Sequence, residues 1–312
     1  CRLLIDLHRA AGNWEKVVAH ERRLLDFEED AQARFSALLS LGDTVREEMG
    51  DVDVAEGCYA EAAAAAPDDP APLRRLYDLH NEAGRTQAAL RDLARLAGLE
   101  ALARDRRAGW YALMARLYRD ELGDMETALA CFNQGLDLDA SQTDAFEECA
   151  ALYRVQEDWS GLEQHHARML QRLGQEGPKD VRAGLWKGLA DLYETRLGDD
   201  DRALTAAEQV IELQRSDEDA YRVVDRLLAD RADLDLARVR RFHRRFLGIA
   251  PRRSDSLRAL RRVELRAGRP DAAWWLCGRL AIDSELEPDE EAFLENLRPA
   301  GLPKVERPLS DE

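Results

Sequence analysis

The chain has 312 residues, 45% apolar, 34% charged and only 6% aromatic, with 62 acidic against 45 basic side chains and a formal net charge of −17. This composition suits a folded, helical chain with a large wetted surface, and no run of eighteen apolar residues exists to cross a bilayer. The acidic field repels phosphate at range and disfavours nucleic acid as the principal partner.

All basic residues except Lys16, Lys179, Lys187 and Lys304 are arginine, a skew that accompanies GC-rich coding and suggests a bacterial source. Five cysteines, Cys1, Cys58, Cys131, Cys149 and Cys277, form no CxxC pair. They read as small core residues in a reducing, cytoplasmic setting, not as a disulfide framework or zinc site. Cys1 has two readings: a lipid-modified end of an exported protein, or the continuation of a longer chain. Helical patterning that begins at Leu3 without a spacer favours the second.

In chain order, helix-breaking centres fall at Gly12-Asn13, Gly50-Asp51, Gly84-Arg85, Gly123-Asp124, Asp158-Trp159, Gly198-Asp199, Ala232-Asp233 and Gly268-Arg269. They lie about 34 to 41 residues apart, the span of a helical hairpin repeat. Before the turn, Leu41, Met114 and Leu189 align, then Val45, Tyr118 and Tyr193, then Met49, Leu122 and Leu197. After it, Ala55, Ala128 and Ala203 align, followed by Tyr59, Phe132 and Ala207. Steps of three and four place each set on one helical stripe, with the small residue letting two helices approach closely. Glycine predicts a left-handed end to the first helix, and the following aspartate a cap on the second.

Pro67 to Pro72 reads as a tight turn between repeats and Gly174 to Asp180 as a longer loop. Beyond Phe293 prolines and glycine crowd the sequence, so residues 294–312 are expected to form an extended, proline-rich tail or a linker to a further segment.

The stretch Trp110–Ala140, WYALMARLYRDELGDMETALACFNQGLDLDA, resembles one helix-turn-helix unit of the tetratricopeptide repeat superfamily, and the resemblance extends more weakly over residues 1 to about 287. It implies an all-α, right-handed α-solenoid of about eight antiparallel helical hairpins over residues 1–293. It departs from the family pattern in the two extra residues before each Gly-Asp glycine and in the unit centred on Ala232, which lacks the glycine. The resemblance further implies a non-catalytic scaffold whose first helices line a groove that binds partner peptides or helices. On that basis Tyr111, Arg119, Trp186 and Glu194 are groove candidates, with packing as the alternative for both aromatics.

No phosphate-binding glycine loop, nucleophile elbow or complete catalytic triad is visible, and no cofactor is expected. Glu163 and His166 share a helical face with di-metal spacing, but no second copy exists to complete such a site. His8 and His80 hold equivalent repeat positions four residues before their glycines, and Asp199-Asp200-Asp201 reads as a helix cap in preference to a calcium loop.

Residues 226–279 hold fifteen arginines against six acids. There Arg240, Arg241, Arg244 and Arg245 flank Phe242 and Phe246 on one helix, a pattern for docking an acidic protein. The alternative is a solvated face neutralised by nearby acids such as those of residues 285–291. Trp275, beside Trp274, marks a possible interface. Two other function classes fit the sequence: a regulatory or sensor module of a larger enzyme or signalling protein, and an RNA-processing helical-repeat protein using the 226–279 block.

Overall fold

The computed structural model describes residues 2–229, 236–283 and 285–296. The centre expected at Ala232-Asp233, Cys1, and residues 297–312 of the expected tail lie outside the described residues. The helices of the described chain pack mainly against neighbours in sequence, in two compact units divided between Arg172 and Leu173.

The first unit is built from five hairpins: α1 Arg2–Ala10 with α2 Trp14–Leu25, α3 Ala31–Thr44 with α4 Val52–Ala65, α5 Pro70–Glu82 with α6 Thr86–Gly98, α7 Arg104–Asp120 with α8 Met125–Leu138, and α9 Thr143–Val155 with α10 Trp159–Leu173. The second contains α11 Lys179–Leu192 with α12 Asp200–Leu213, α13 Glu218–Ala229 with α14 Leu236–Leu247, α15 Ser254–Arg266 with α16 Pro270–Asp283, and a closing helix α17 Pro288–Asn296. No strand occurs among the described residues. The architecture is an all-α solenoid of helical hairpins, in which each apolar stripe is buried by the adjoining hairpins. Helix α17 carries Leu294 to Asn296, so the helical pattern continues three residues into the segment expected to be tail.

The turns follow from backbone chemistry. Gly12, Gly50, Gly84, Gly123, Gly198 and Gly268 all adopt positive φ, and after Gly50, Gly123 and Gly198 an aspartate caps the helix that follows. Asp51 accepts from the Val54 N–H, Asp124 from Thr127 and Asp199 from Arg202. Two turn types occur. At the looser centres the second residue bonds back five positions, as in Asn13 N–H to His8 O at 2.9 Å and Arg85 N–H to His80 O at 2.8 Å. At two Gly-Asp centres the bond spans six, from Asp124 to Tyr118 and from Asp199 to Tyr193, both 2.9 Å. The extra residues noted before Gly50 and Gly198 are absorbed by π-helical turns, Val45–Met49 and Tyr193–Leu197.

That widening corrects one core assignment. Leu41 and Leu189, Ala55, Ala128 and Ala203, and Tyr59 and Phe132 are buried as the stripes require, but Met49 and Leu122 are exposed. The wider turn carries this third column off the hairpin interface.

The turn of the fifth hairpin has no glycine, and Glu157 takes the left-handed conformation with φ 54°. A side chain in that region costs about 1 kcal/mol relative to glycine. Glu157→Gly is therefore expected to raise unfolding free energy by up to about 1 kcal/mol in urea denaturation. A neutral or destabilising result would show that the Glu157 side chain makes a compensating contact.

Candidate functional site

Two clefts border helix α7. One, of 350 Å³, lies against α5 and is lined by Arg74, Arg106, Gly109 and Trp110 among others. The other, of 270 Å³, lies against α9 and reaches from Gly109 and Arg116 to Asp144. Arg106, Gly109, Trp110 and Leu113 recur at helical spacing, which puts them on one face of α7. The half-buried Trp110 ring has the Arg74 guanidinium 5.8 Å from its centroid and the Tyr77 ring edge-on at 6.5 Å. Its indole Nε1 is withdrawn from solvent and has no hydrogen-bond partner.

Gly109 belongs to both clefts. A helix-interior glycine costs about 1 kcal/mol, and a Cβ there would touch nothing within 4 Å. Packing therefore does not demand glycine; its missing side chain leaves the floor open between the two clefts.

The residues expected from sequence take the following places. Tyr111 packs inside its own hairpin: a Cβ on Gly135 of α8 would lie 3.4 Å from Tyr111 Cβ and 3.1 Å from the Ala108 carbonyl. The aromatic that lines a cleft here is its neighbour Trp110. Arg119 is tied to Asp120 at 2.6 Å and, with Arg116, to Glu148 at 2.8 Å. Burial opposes ionisation of Glu148, but the bonds from both arginines hold its carboxyl below the usual range. In the second unit, Trp186 is half-buried on α11, and Glu194 pairs with Arg226 at 2.6 Å.

The arginines of α14 do not form one free patch. Arg240 forks onto the buried Glu264 at 2.8 and 3.2 Å, Arg244 reaches the same carboxylate at 3.5 Å, and Arg245 pairs with Glu212. Arg241 alone of the four is exposed without an ion pair to a described residue. Neutralisation comes largely from outside the 226–279 segment: Glu208 holds Arg238, and Glu290 holds Arg258. Trp275 is 70% exposed, edge-on to Trp274, whose Nε1–H donates to the Leu294 carbonyl of α17 at 3.0 Å.

One juxtaposition was missed. Cys149 of α9 and His165 of α10 meet at 3.6 Å in the core, a pairing their separation of sixteen residues does not advertise. The His165 Nε2–H donates to the Phe146 carbonyl at 3.0 Å, which leaves Nδ1 to accept from the thiol. Burial pushes the thiol up to about 12 and the imidazole down to about 4, so both are neutral and the pair is no thiolate nucleophile. His166 donates to Leu162 O, and His80 contacts Asp92 at 2.6 Å. Cys58, Cys131, Cys149 and Cys277 are free and buried. Among the described residues no three metal-ligating side chains converge, and no helix is long and apolar enough to cross a membrane.

Hairpins of this length, packed in chain order, define an α-helical repeat protein. More particularly, residues 110–142 match the tetratricopeptide repeat family model, the stretch whose residues carried the resemblance in the sequence. No curated protein matches the chain. Among solved structures, a tetratricopeptide repeat protein from Parabacteroides merdae is 15% identical, with 93% of this chain and 94% of that one covered and a TM-score of 0.37. BtubC from P. vanneervenii is 19% identical over 68% of this chain and 91% of its own, with a TM-score of 0.35. YrrB, described as a tetratricopeptide repeat protein with an unusual peptide-binding site, is 19% identical over 61% and 92%, with a TM-score of 0.33.

Proposed function

We propose that the chain is a non-catalytic protein-interaction scaffold that takes a partner segment along the face formed by α5, α7 and α9. The observation that carries this reading is Trp110: a half-buried indole in an open cleft, beneath Arg74 and with an unpartnered Nε1. Aromatic and arginine side chains in partly desolvated clefts are the usual anchors of protein recognition. A bound peptide carbonyl supplies the acceptor that the indole lacks, and an apolar or acidic side chain fills the space beside Arg74 and Arg106. The cleft against α9 takes the next residues of the same segment, across the open floor at Gly109. Its chemistry is binding: the buried cysteines of this unit, with His165 and His166, are committed to the core.

Panning a displayed random peptide library on the chain should enrich a shared anchor class. Trp110→Ala should weaken the enriched peptides at least about thirtyfold, the loss typical of a hot-spot aromatic, with helicity by circular dichroism unchanged. Failure to enrich any class, or equal binding by a folded Trp110→Ala chain, would overturn the reading.

A further inference from the structure

In the second unit a cleft of 380 Å³ opens between α13, α14 and α15, and five arginines face two aspartates in its lining. Arg222 and Arg226 have acidic partners elsewhere. Arg253 and Arg262 are different: neither makes an ion pair with a described residue, although their repeat neighbours nearly all do. Arg253 lies over the Phe246 ring at 4.7 Å, and its buried Nε has no acceptor.

On α14, His243 lines the same cleft and is 2% exposed. Its Nδ1 has no hydrogen-bond partner, and its Nε2 stands 3.7 Å from Asp225 Oδ1, beyond hydrogen-bond length. Burial, with Arg262 and Arg253 close by, pushes the imidazole down to about 4, so it is neutral with one N–H to give. Buried donors are nearly always satisfied in folded proteins, and leaving them unmade is costly. Among the described residues, His243 Nδ1 and Arg253 Nε are thus buried without a hydrogen-bond partner, and the exposed Arg262 guanidinium borders the same space.

We propose that this cleft binds a phosphoryl oxyanion, as free phosphate or a small phosphate monoester, with Arg253 and Arg262 as charged donors and His243 donating from the α14 side. A tetrahedral anion offers oxygens in several directions, which suits donors converging from α14, the start of α15 and two turns further along α15. A carboxylate is planar and is satisfied by one guanidinium fork. The volume exceeds that of phosphate alone and leaves room for a small organic group. Asp225 and Asp255 offset the charge of the two unpaired arginines, Arg253 and Arg262, so the preference for an oxyanion rests on the converging donors and not on a net positive field. This site is in the other unit from the Trp110 cleft and does not depend on it.

The test is titration of the whole chain with inorganic phosphate and, separately, phenyl phosphate, at constant ionic strength in chloride. Imidazole NMR signals are followed, with His243→Gln assigning the relevant one. Saturable perturbation of the His243 signal is expected. Arg253→Ala and Arg262→Ala should each weaken binding at least about tenfold, as for loss of a charge-assisted hydrogen bond. Arg241→Ala, an exposed arginine outside the cleft, should leave it unchanged. Tighter binding of the ester identifies a phosphorylated organic ligand, and equal binding identifies the free ion; both support the site. Absence of saturation at His243, or the same affinity in the arginine variants with their helicity intact, would overturn it.

Discussion

Acidification from pH 7 to pH 4.5 is expected to remove about 3 kcal/mol of stability through His165 alone, at about 1.4 kcal/mol per pH unit between the unfolded and folded titrations. The folded imidazole is held down near 4 by burial, helped by the neighbouring His166 and the arginines at 172 and 154, whereas an unfolded histidine titrates near its ordinary value of 6.5. Between those limits the unfolded chain binds a proton that the folded chain refuses. The contribution is therefore complete above about pH 6.5 and lost as pH falls towards 4. His166, also lowered by burial, adds to the loss with the same sign. Burial raises Glu21, Asp78 and Asp92, which favour the folded state on acidification and partly offset it.

The readout that separates these effects is a slope. Urea unfolding at several pH values should give a steeper loss for the wild type than for His165→Gln, whatever that variant costs at pH 7. Parallel slopes would show that His165 is protonated without penalty in the folded chain. Geometry argues against that: with Nε2–H committed to Phe146 O, an added proton must go on Nδ1, facing the Cys149 thiol in the buried core.

The hairpin frame was legible because it is set by local chemistry. Glycine before a capping aspartate, and an alanine column facing an aromatic one, are signals contained within one repeat. What escaped lies between repeats. Arg75 pairs with Asp43 and Arg116 with Glu148 across 32 positions, Arg245 with Glu212 across 33, and Arg238 with Glu208 across 30. These separations match the repeat length, so a charge and its partner occupy adjoining hairpins. Counting charge within 226–279 therefore finds an excess of arginine that acids one repeat away largely neutralise. The same register, applied to described arginines of this segment that lack such a partner, singles out Arg241, Arg253 and Arg262.

The site was less legible than the fold. A single helix does not say which neighbour Trp110 and Tyr111 each meet: Trp110 stands beside Arg74 and Tyr77 of α5, and Tyr111 Cβ approaches Gly135 of α8. Met49 and Leu122 continue a period of three and four, and the period carries no sign of the widened turn that lifts them out of the core. Cys149 and His165 were legible only as two core positions, since their meeting depends on how α9 faces α10.

Gly42→Ala is expected to destabilise the chain by about 2 kcal/mol, although the same change in an open helix interior is favourable by about 1 kcal/mol. Gly42 lies in α3 against Tyr59 of α4, which is completely buried. An added Cβ would stand 2.8 Å from Tyr59 Cδ1 and closer still to Cε1. The ring has little freedom to retreat: its hydroxyl donates to Asp43 Oδ1 at 2.8 Å, and Arg75 holds that carboxylate with a fork of 2.8 and 3.0 Å. The sister hairpin accommodates an alanine beside a phenylalanine, which points to the hydroxyl as the source of the conflict. At the equivalent positions it buries Ala115 with Phe132, both fully inaccessible. Tyr59→Phe alone should cost about 1 kcal/mol for the lost hydrogen bond, yet in the double variant the freed ring can shift as Phe132 does. A four-cornered unfolding cycle should then show the two changes costing less together than their sum, by about 1 kcal/mol. Strict additivity would mean that the hydroxyl does not hold the ring, and a stabilising Gly42→Ala would mean that the two helices can part at no cost.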